Sequence, residues 1–330
     1  MEMILTECVA ITDTSSIGEA RRRGLHVTER LGFDEVRSGE FALLITEIAR
    51  NVLTHGGGGQ AIITGSRNGY GPMVRLLGID KGPGISDVPR AMKDGYSTAG
   101  TPGTGLGALK RIANQMEIFT SPAGTIVMVE LGLGEARQGP QIAGVAIPYP
   151  GERFCGDAWS YHQTPEQTMI LIVDGLGHGG PAAVAAEEAV AVFRSSLDKS
   201  PGEILSHLND ALKKTRGAVA GITRLNTAAN TLTYAAVGNT AASVVSKQGS
   251  RSLVSHSGTL GVATPRIQEF QMDWPKDGIL IMHSDGLQSR WDLSSYSGLM
   301  SRHPAVISAA LVRDFRRQRD DASVVVVKAA

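Results

Sequence analysis

Four acidic positions in the second half of the chain carry the clearest chemistry. They are Gly156-Asp157, Val173-Asp174-Gly175-Leu-Gly177-His178-Gly179, Ser284-Asp285-Gly286 and Asp320-Asp321-Ala-Ser. Any single Asp-Gly pair reads equally well as a turn. Three of these follow β-prone apolar runs, where a short carboxylate can be held rigidly. Carboxylates joined by a backbone carbonyl and water make an oxygen-only site for hard divalent ions, suited to Mg²⁺ or Mn²⁺ rather than Zn²⁺. Two such ions close together can activate water for in-line attack on phosphorus.

The first half offers three separated pieces. In Glu47-Ile-Ala-Arg-Asn51 a spacing of four puts a carboxylate and an amide on one helical face. The carboxylate can deprotonate a hydroxyl and the amide oxygen suits Mg²⁺; an exposed Glu and a capping Asn is the plain alternative. In Asp80-Lys-Gly82-Pro-Gly84-Ile85 an acceptor-only carboxylate at a strand end can take a hydrogen bond from an exocyclic amine such as that of adenine, and the glycines admit a planar base. A strand-to-turn junction fits equally. The third piece runs from Gly95 through Gly103, Gly105 and Gly107 into a helix. Free N–H groups there can cradle an anion, or the stretch is a lid without ligand. It is neither a Walker A motif nor a Rossmann turn.

These residues must be positioned by a chain of mixed elements. Glu2–Thr12 reads as a strand, Ser15 or Ser16 caps a helix running to Leu31, and Phe33–Thr54 reads as a longer helix ended by Gly56–Gly59. Gln60–Ser66 and Met73–Asp80 are strands, and a helix follows the glycine-rich stretch as far as Met116 before a closing strand pair near Leu133. The polar run Gly134–Pro140 is the expected linker. Beyond it come helices at Pro181–Leu197 and Gly202–Lys214. Strands follow at Thr231–Val237, Ala241–Val245, Gly278–His283 and Ala322–Val327. The basic clusters Arg21–Arg23 and Arg316–Arg319 read as solvated helix faces.

At 330 residues the length suggests two domains. Equal counts of 32 basic and 32 acidic residues argue against a nucleic-acid binder that relies on bulk charge. No apolar run approaches the ~20 residues needed to span a bilayer, and the N-terminus has no secretory pattern. With only Cys8 and Cys155, neither a disulfide framework nor a Cys-rich zinc site is available. A cytoplasmic protein is expected.

The three N-terminal pieces, in this order, resemble the N, G1 and G2 boxes of the Bergerat-fold (GHKL) ATPases over residues 1–133. The wording of Glu47–Asn51 and of Ala91-Met-Lys-Asp-Gly95-Tyr-Ser-Thr98 is most similar to the RsbT-type serine/threonine switch kinases. The resemblance implies that ATP binds with Mg²⁺ on Asn51, that Glu47 is the general base, and that Asp80 reads adenine. Gly82, Gly84, Gly103, Gly105 and Gly107 would shape the pocket and lid, flanked by Arg50 and His55.

Residues 141–330 resemble the PPM (PP2C-like) phosphatases of the SpoIIE/RsbX branch, most specifically in Asp174–Gly179 and in Ala235-Ala-Val-Gly238-Asn239. This implies two Mn²⁺ or Mg²⁺ held by Asp157, Asp174, Asp285, Asp320 and the Gly175 carbonyl, with Asp174 bridging. Asp320 is preferred over Asp321 because the family's final motif begins with the ligand. Arg153 is a weak match to a phosphate-holding arginine, His178 reads as a general acid or, preferred, as a structural residue of its glycine-rich turn, and Cys155 is a buried thiol.

The expected fold is α+β: a Bergerat α/β sandwich, then a PP2C-like α-β-β-α sandwich. The function implied is a fused kinase and phosphatase of bacterial partner switching, acting on a Ser or Thr of a STAS-domain antagonist. A second regulator or sigma-factor pathway protein is a further partner, and a homodimer is compatible; nucleic acid and membrane are not expected. The other reading makes the first half a nucleotide-binding module that sequesters a regulator without phosphorylating it.

Overall fold

The computed structural model describes residues 3–68, 71–92, 106–133, 139–263 and 265–329. Its contacts divide the chain into two compact units, residues 1–136 with Leu293–Arg313, and residues 137–292 with 314–330.

The first unit begins with β1 (Met3–Ile11), α1 (Thr14–Leu31) and α2 (Glu35–Thr54), followed by β2 (Gly59–Asn68) and β3 (Gly71–Asp80). Short helices α3 (Val88–Ala91) and α4 (Leu106–Ile112) precede β4 (Gln115–Ser121) and β5 (Gly124–Gly132). Helix α4 ends before Met116, which lies in β4. The strands form one antiparallel sheet in the order β1-β2-β3-β5-β4.

One face of that sheet, with Ile63, Leu76 and Val129, packs on Val27, Phe41, Ile45 and Ile48 of α1 and α2. The two helices start from aspartates. Asp13 caps α1 by accepting from Ser16 N at 2.9 Å, and Asp34 caps α2 by accepting from Arg37 N at 2.7 Å. Ser16 is therefore the third helical residue of a capping box and not the cap itself, because an Asp carboxylate reaches the free N–H groups of the first turn. Arg23 on α1 is tied to Glu7 and Glu19.

The second unit holds β6 (Gln141–Ile147), β7 (Asp157–Gln163), β8 (Gln167–Gly175), α5 (Gly180–Ser195) and α6 (Pro201–Ala211). Then come β9 (Ala218–Asn226), β10 (Thr231–Val237), β11 (Ala241–Ser246), β12 (Gly249–Ser252), β13 (Phe270–Asp273) and β14 (Ile279–His283). Helix α7 (Pro304–Phe315) precedes the final strand β15 (Ala322–Lys328). Two five-stranded antiparallel sheets result, β13-β10-β9-β8-β7 and β12-β11-β14-β15-β6. They meet face to face, with β6 and β15 against β7. Gly144 is required there, since a Cβ would stand 2.7 Å from the Trp159 ring. Helices α5 and α6 cover the outer face of the first sheet with Ala185, Ala189, Phe193 and Leu205 over Leu171 and Ile222.

The expected continuous unit 141–330 is interrupted. Leu293–Arg313, with nearly all of α7, clusters with the first unit. Its residues from Pro304 to Arg313 are all buried. The start of α7 is held by the first sheet: Glu117 of β4 accepts from His303 N at 3.0 Å, and the His303 ring caps Ala305 N at 3.1 Å through Nδ1. His303 Nε2 faces Glu130 of β5 at 3.8 Å, which also pairs with the buried Arg75 of β3. Arg316–Arg319 are not a helix face either. Arg316 turns inward, donating to Pro148 O at 2.6 Å and Asp320 O at 3.3 Å, two half-buried carbonyls that its guanidinium satisfies. No helix among the described residues is long and apolar enough to cross a membrane.

Candidate functional site

In the first unit, Asp80 ends β3 and is buried. Its Oδ1 accepts from Gly82 N at 2.9 Å and from Thr125 N of β5 at 3.0 Å. Glycines close around it. A Cβ at Gly56 would fall 2.3 Å from Asp80 Cβ, and one at Gly124 would fall 2.0 Å from the Asp80 carbonyl. Gly82 and Gly84 are likewise fixed by close approach, Gly82 to the Gly56 backbone and Gly84, at φ +79°, to the Ser121 carbonyl. The turn after Asp80 is thus rigid, with its carboxylate oriented by backbone alone.

Glu47 and Asn51 lie on α2, with Asn51 one turn before its end, where its carbonyl accepts from His55 N at 2.9 Å. Glu47 Oε1 is bonded by Arg50 Nη1 at 2.5 Å. Chain folding brings the C-terminus of α2 to Asp80, since Gly56 and His55 touch Gly82 and Asp80. Gly107 is buried inside α4. Gly103 and Gly105 lie outside the described residues.

In the second unit, Asp157 opens β7 directly opposite Asp174 near the end of β8, so antiparallel pairing sets the two carboxylates side by side. Gly175 N bonds to Gly156 O at 3.0 Å, and a Cβ at Gly175 would stand 2.2 Å from the Ala182 carbonyl. The loop after β14 carries Asp285, whose Oδ2 accepts from Asn239 Nδ2 at 2.6 Å. Asp320 and Asp321 lead into β15. Asp321 is buried, accepts from Tyr149 N at 2.8 Å, and has Oδ2 near Gly156.

The carboxylates feel one another. Burial first, then the charges of Asp157, Asp285, Asp320 and Asp321, push the Asp174 carboxyl far above the usual range. Burial also raises Asp157, with Asp321 and Asp320 adding to it and the hydroxyls of Ser284 and Ser323 pulling back. Asp320 is raised by burial and by Asp285. Burial and the same anionic field push the Cys155 thiol up, which makes it a poor nucleophile.

Asp157 Oδ2 and Asp321 Oδ2 are buried without a hydrogen-bond partner. Buried like charges and orphaned oxygens are what a cation resolves, and an all-oxygen donor set suits Mg²⁺ or Mn²⁺. Among the described residues, no three His, Cys, Asp or Glu side chains are gathered tightly enough to enclose an ion as they stand. His178 is engaged by Glu152 at 3.1 Å and stacks on Tyr149, bracing the turn. Arg153 is exposed, over the Phe154 ring.

The bond from Asn239 to Asp285 and the packing of Gly56, Gly124 and Thr125 around Asp80 have no marker in the local sequence pattern. A polar residue right after a β-strand, as in Gly238-Asn239, marks the position but not its partner. The other three become visible only through pairing across the sheet.

The family model of stage II sporulation protein E (SpoIIE) matches residues 164–330, just over half the chain. The serine/threonine-protein kinase RsbT of Bacillus subtilis (strain 168) is 34% identical over 111 residues, 34% of this chain and 84% of RsbT. The phosphoserine phosphatase RsbX of the same organism is 26% identical over 138 residues, 42% of this chain and 69% of RsbX. Among solved structures, a chain from work on the bacterial stressosome has a TM-score of 0.55 at 26% identity, covering 58% of this chain and all of that one. RsbX in complex with magnesium has a TM-score of 0.53 at 20% identity, covering 66% of this chain and all of that one, a likeness of fold. The mixed α and β chain described above therefore belongs to the SpoIIE family through its C-terminal phosphatase half, joined to an N-terminal region of the RsbT family.

Proposed function

We propose that the protein is a bifunctional regulator of a partner-switching pathway, which phosphorylates a Ser or Thr of a STAS-domain protein with ATP and removes phosphate from the same or a related protein. The observation that supports its phosphatase part is the cluster of Asp157, Asp174, Asp285 and Asp320, whose charges act on one another and in which the buried Asp157 leaves Oδ2 without a partner. These residues, with the Gly175 carbonyl, would hold two Mg²⁺ or Mn²⁺. Such ions, when bound, supply an activated water and neutralise phosphate charge. The chain's own part is positioning: Asn239 orients Asp285, and the strand pairing fixes Asp157 against Asp174.

In the N-terminal half, taken as a Bergerat fold, Asp80 would accept from the adenine amine, with Gly82 and Gly84 shaping its seat. Asn51 would ligate Mg²⁺ of the bound nucleotide and Glu47 would take the substrate hydroxyl proton. Fusion raises the effective concentration of each activity around a shared substrate.

A second reading rests on the Glu47–Arg50 ion pair, which occupies the carboxylate. In it the first half binds nucleotide and a regulator without transfer. One experiment separates the two: mix the full chain with Mg-ATP and STAS proteins from the same genome, follow intact mass, then add Mn²⁺. Phosphate that appears and then disappears supports two activities. Stoichiometric binding without transfer, with hydrolysis of a pre-phosphorylated STAS protein, supports the second reading. Absence of hydrolysis in the Mn²⁺ stage overturns the phosphatase proposal.

A further inference from the structure

A phosphate monoester reaching the acidic pocket meets carboxylates on every side. Beyond the metal ions it needs a cation placed where its outer oxygens would lie. Two basic side chains beside this region already have partners of their own. His178 is held by Glu152, and Arg153 lies over the Phe154 ring.

Arg216 is different. It is exposed and has no carboxylate within ion-pair distance among the described residues. Its position is nevertheless fixed. A Cβ at Gly177 would stand 3.1 Å from Arg216 Nη1, so the guanidinium lies against the turn that follows Asp174 and Gly175. The backbones of the two segments are tied, with Leu176 N donating to Gly217 O at 3.0 Å. Thr215 Oγ1 accepts from Gly217 N at 3.0 Å and donates to Leu212 O at 2.8 Å, which stiffens the turn carrying Arg216. Gly177 at φ +88° presents no side chain to fill the gap.

We infer that Arg216 is the phosphate-holding residue of the phosphatase half, its guanidinium reaching across Gly177 to the phosphoryl oxygens of the phosphoprotein. A planar fork gives bidentate contact with phosphate that a lysine does not reproduce. The inference rests on the phosphatase reading above.

The test uses the full chain at saturating Mn²⁺, with p-nitrophenyl phosphate as substrate and inorganic phosphate as product inhibitor. Arg216→Ala should raise the KM and the phosphate inhibition constant together, by about tenfold or more, the range of a lost charge-assisted bond. The Mn²⁺ concentration for half-maximal activity should stay as in the wild type, and Arg216→Lys should recover part of the loss. Arg216→Gln, which keeps side-chain bulk, should behave like the alanine variant and guards against a packing effect. Unchanged KM and inhibition constant in an active protein would overturn the inference and leave the phosphatase reading standing. So would a matching loss in Arg153→Ala alone, or a shift confined to the Mn²⁺ requirement. A wild-type chain that hydrolyses nothing would remove both.

Discussion

The two candidate sites solve opposite electrostatic problems. Asp80 sits alone, with Oδ1 bonded by two backbone N–H groups and its turn locked by glycines. The second site crowds Asp157, Asp174, Asp285, Asp320 and Asp321 together and leaves two carboxylate oxygens without a partner. A satisfied carboxylate is ready to read a neutral hydrogen-bonding ligand and needs nothing else to stay folded. A crowded set is incomplete until cations arrive. On the proposed function the same residue type would be a reader in one half and a ligand cage in the other, and the difference lies in its neighbours.

Changes that break only one side sharpen this contrast. The largest effect is expected for Asp174→Asn, which should lower phosphatase kcat/KM by about 10³-fold or more while leaving nucleotide binding unchanged; steady-state hydrolysis and nucleotide titration on one preparation would show both. Because it removes one charge from a repelling group, the same variant should melt no lower than the wild type in chelator. Arg75→Ala is next. It removes a buried guanidinium and leaves Glu130 only His303 at 3.8 Å, and should cost about 3 kcal/mol in denaturant unfolding of the first unit. Chelating divalent ions should destabilise the second unit alone, by about 2.7 kcal/mol relative to ions at 100 times their dissociation constant, read as a selective loss of one calorimetric transition. Asp80→Asn should weaken ATP by about 2 kcal/mol without touching phosphatase activity, in isothermal titration. The smallest expected effect is that of Asp13→Ala, about 1 kcal/mol for the lost cap of α1.

Much of this contrast was legible in the sequence because it is local. The period of α2 put Glu47 and Asn51 one turn apart, and β-prone runs before Asp80, Asp174 and Asp285 announced strand ends. What was not legible depends on chain segments far apart in sequence. Asn239 reaches Asp285 across 46 residues, and Thr125 reaches Asp80 across 45. Asp13 was passed over as a cap because two serines follow it, although a carboxylate beside them competes better for the free N–H groups. Arg316 looked like part of a solvated stripe by composition, yet carbonyls of Pro148 and Asp320 draw it inward. Helix α7 escaped notice because it is apolar all round, so no periodic stripe marks it.

The division of the chain has a consequence for its birth on the ribosome. Leu293–Arg313 belongs with residues 1–136, and the segment between them belongs elsewhere. The N-terminal unit can fold most of its sheet early, with Arg75 already paired to Glu130, but Glu130 meets His303 only after residues 137–292 have been synthesised. A nascent chain stalled before residue 293 therefore has neither unit finished, because Leu293–Arg313 and Asp314–Ala330 are both still to come.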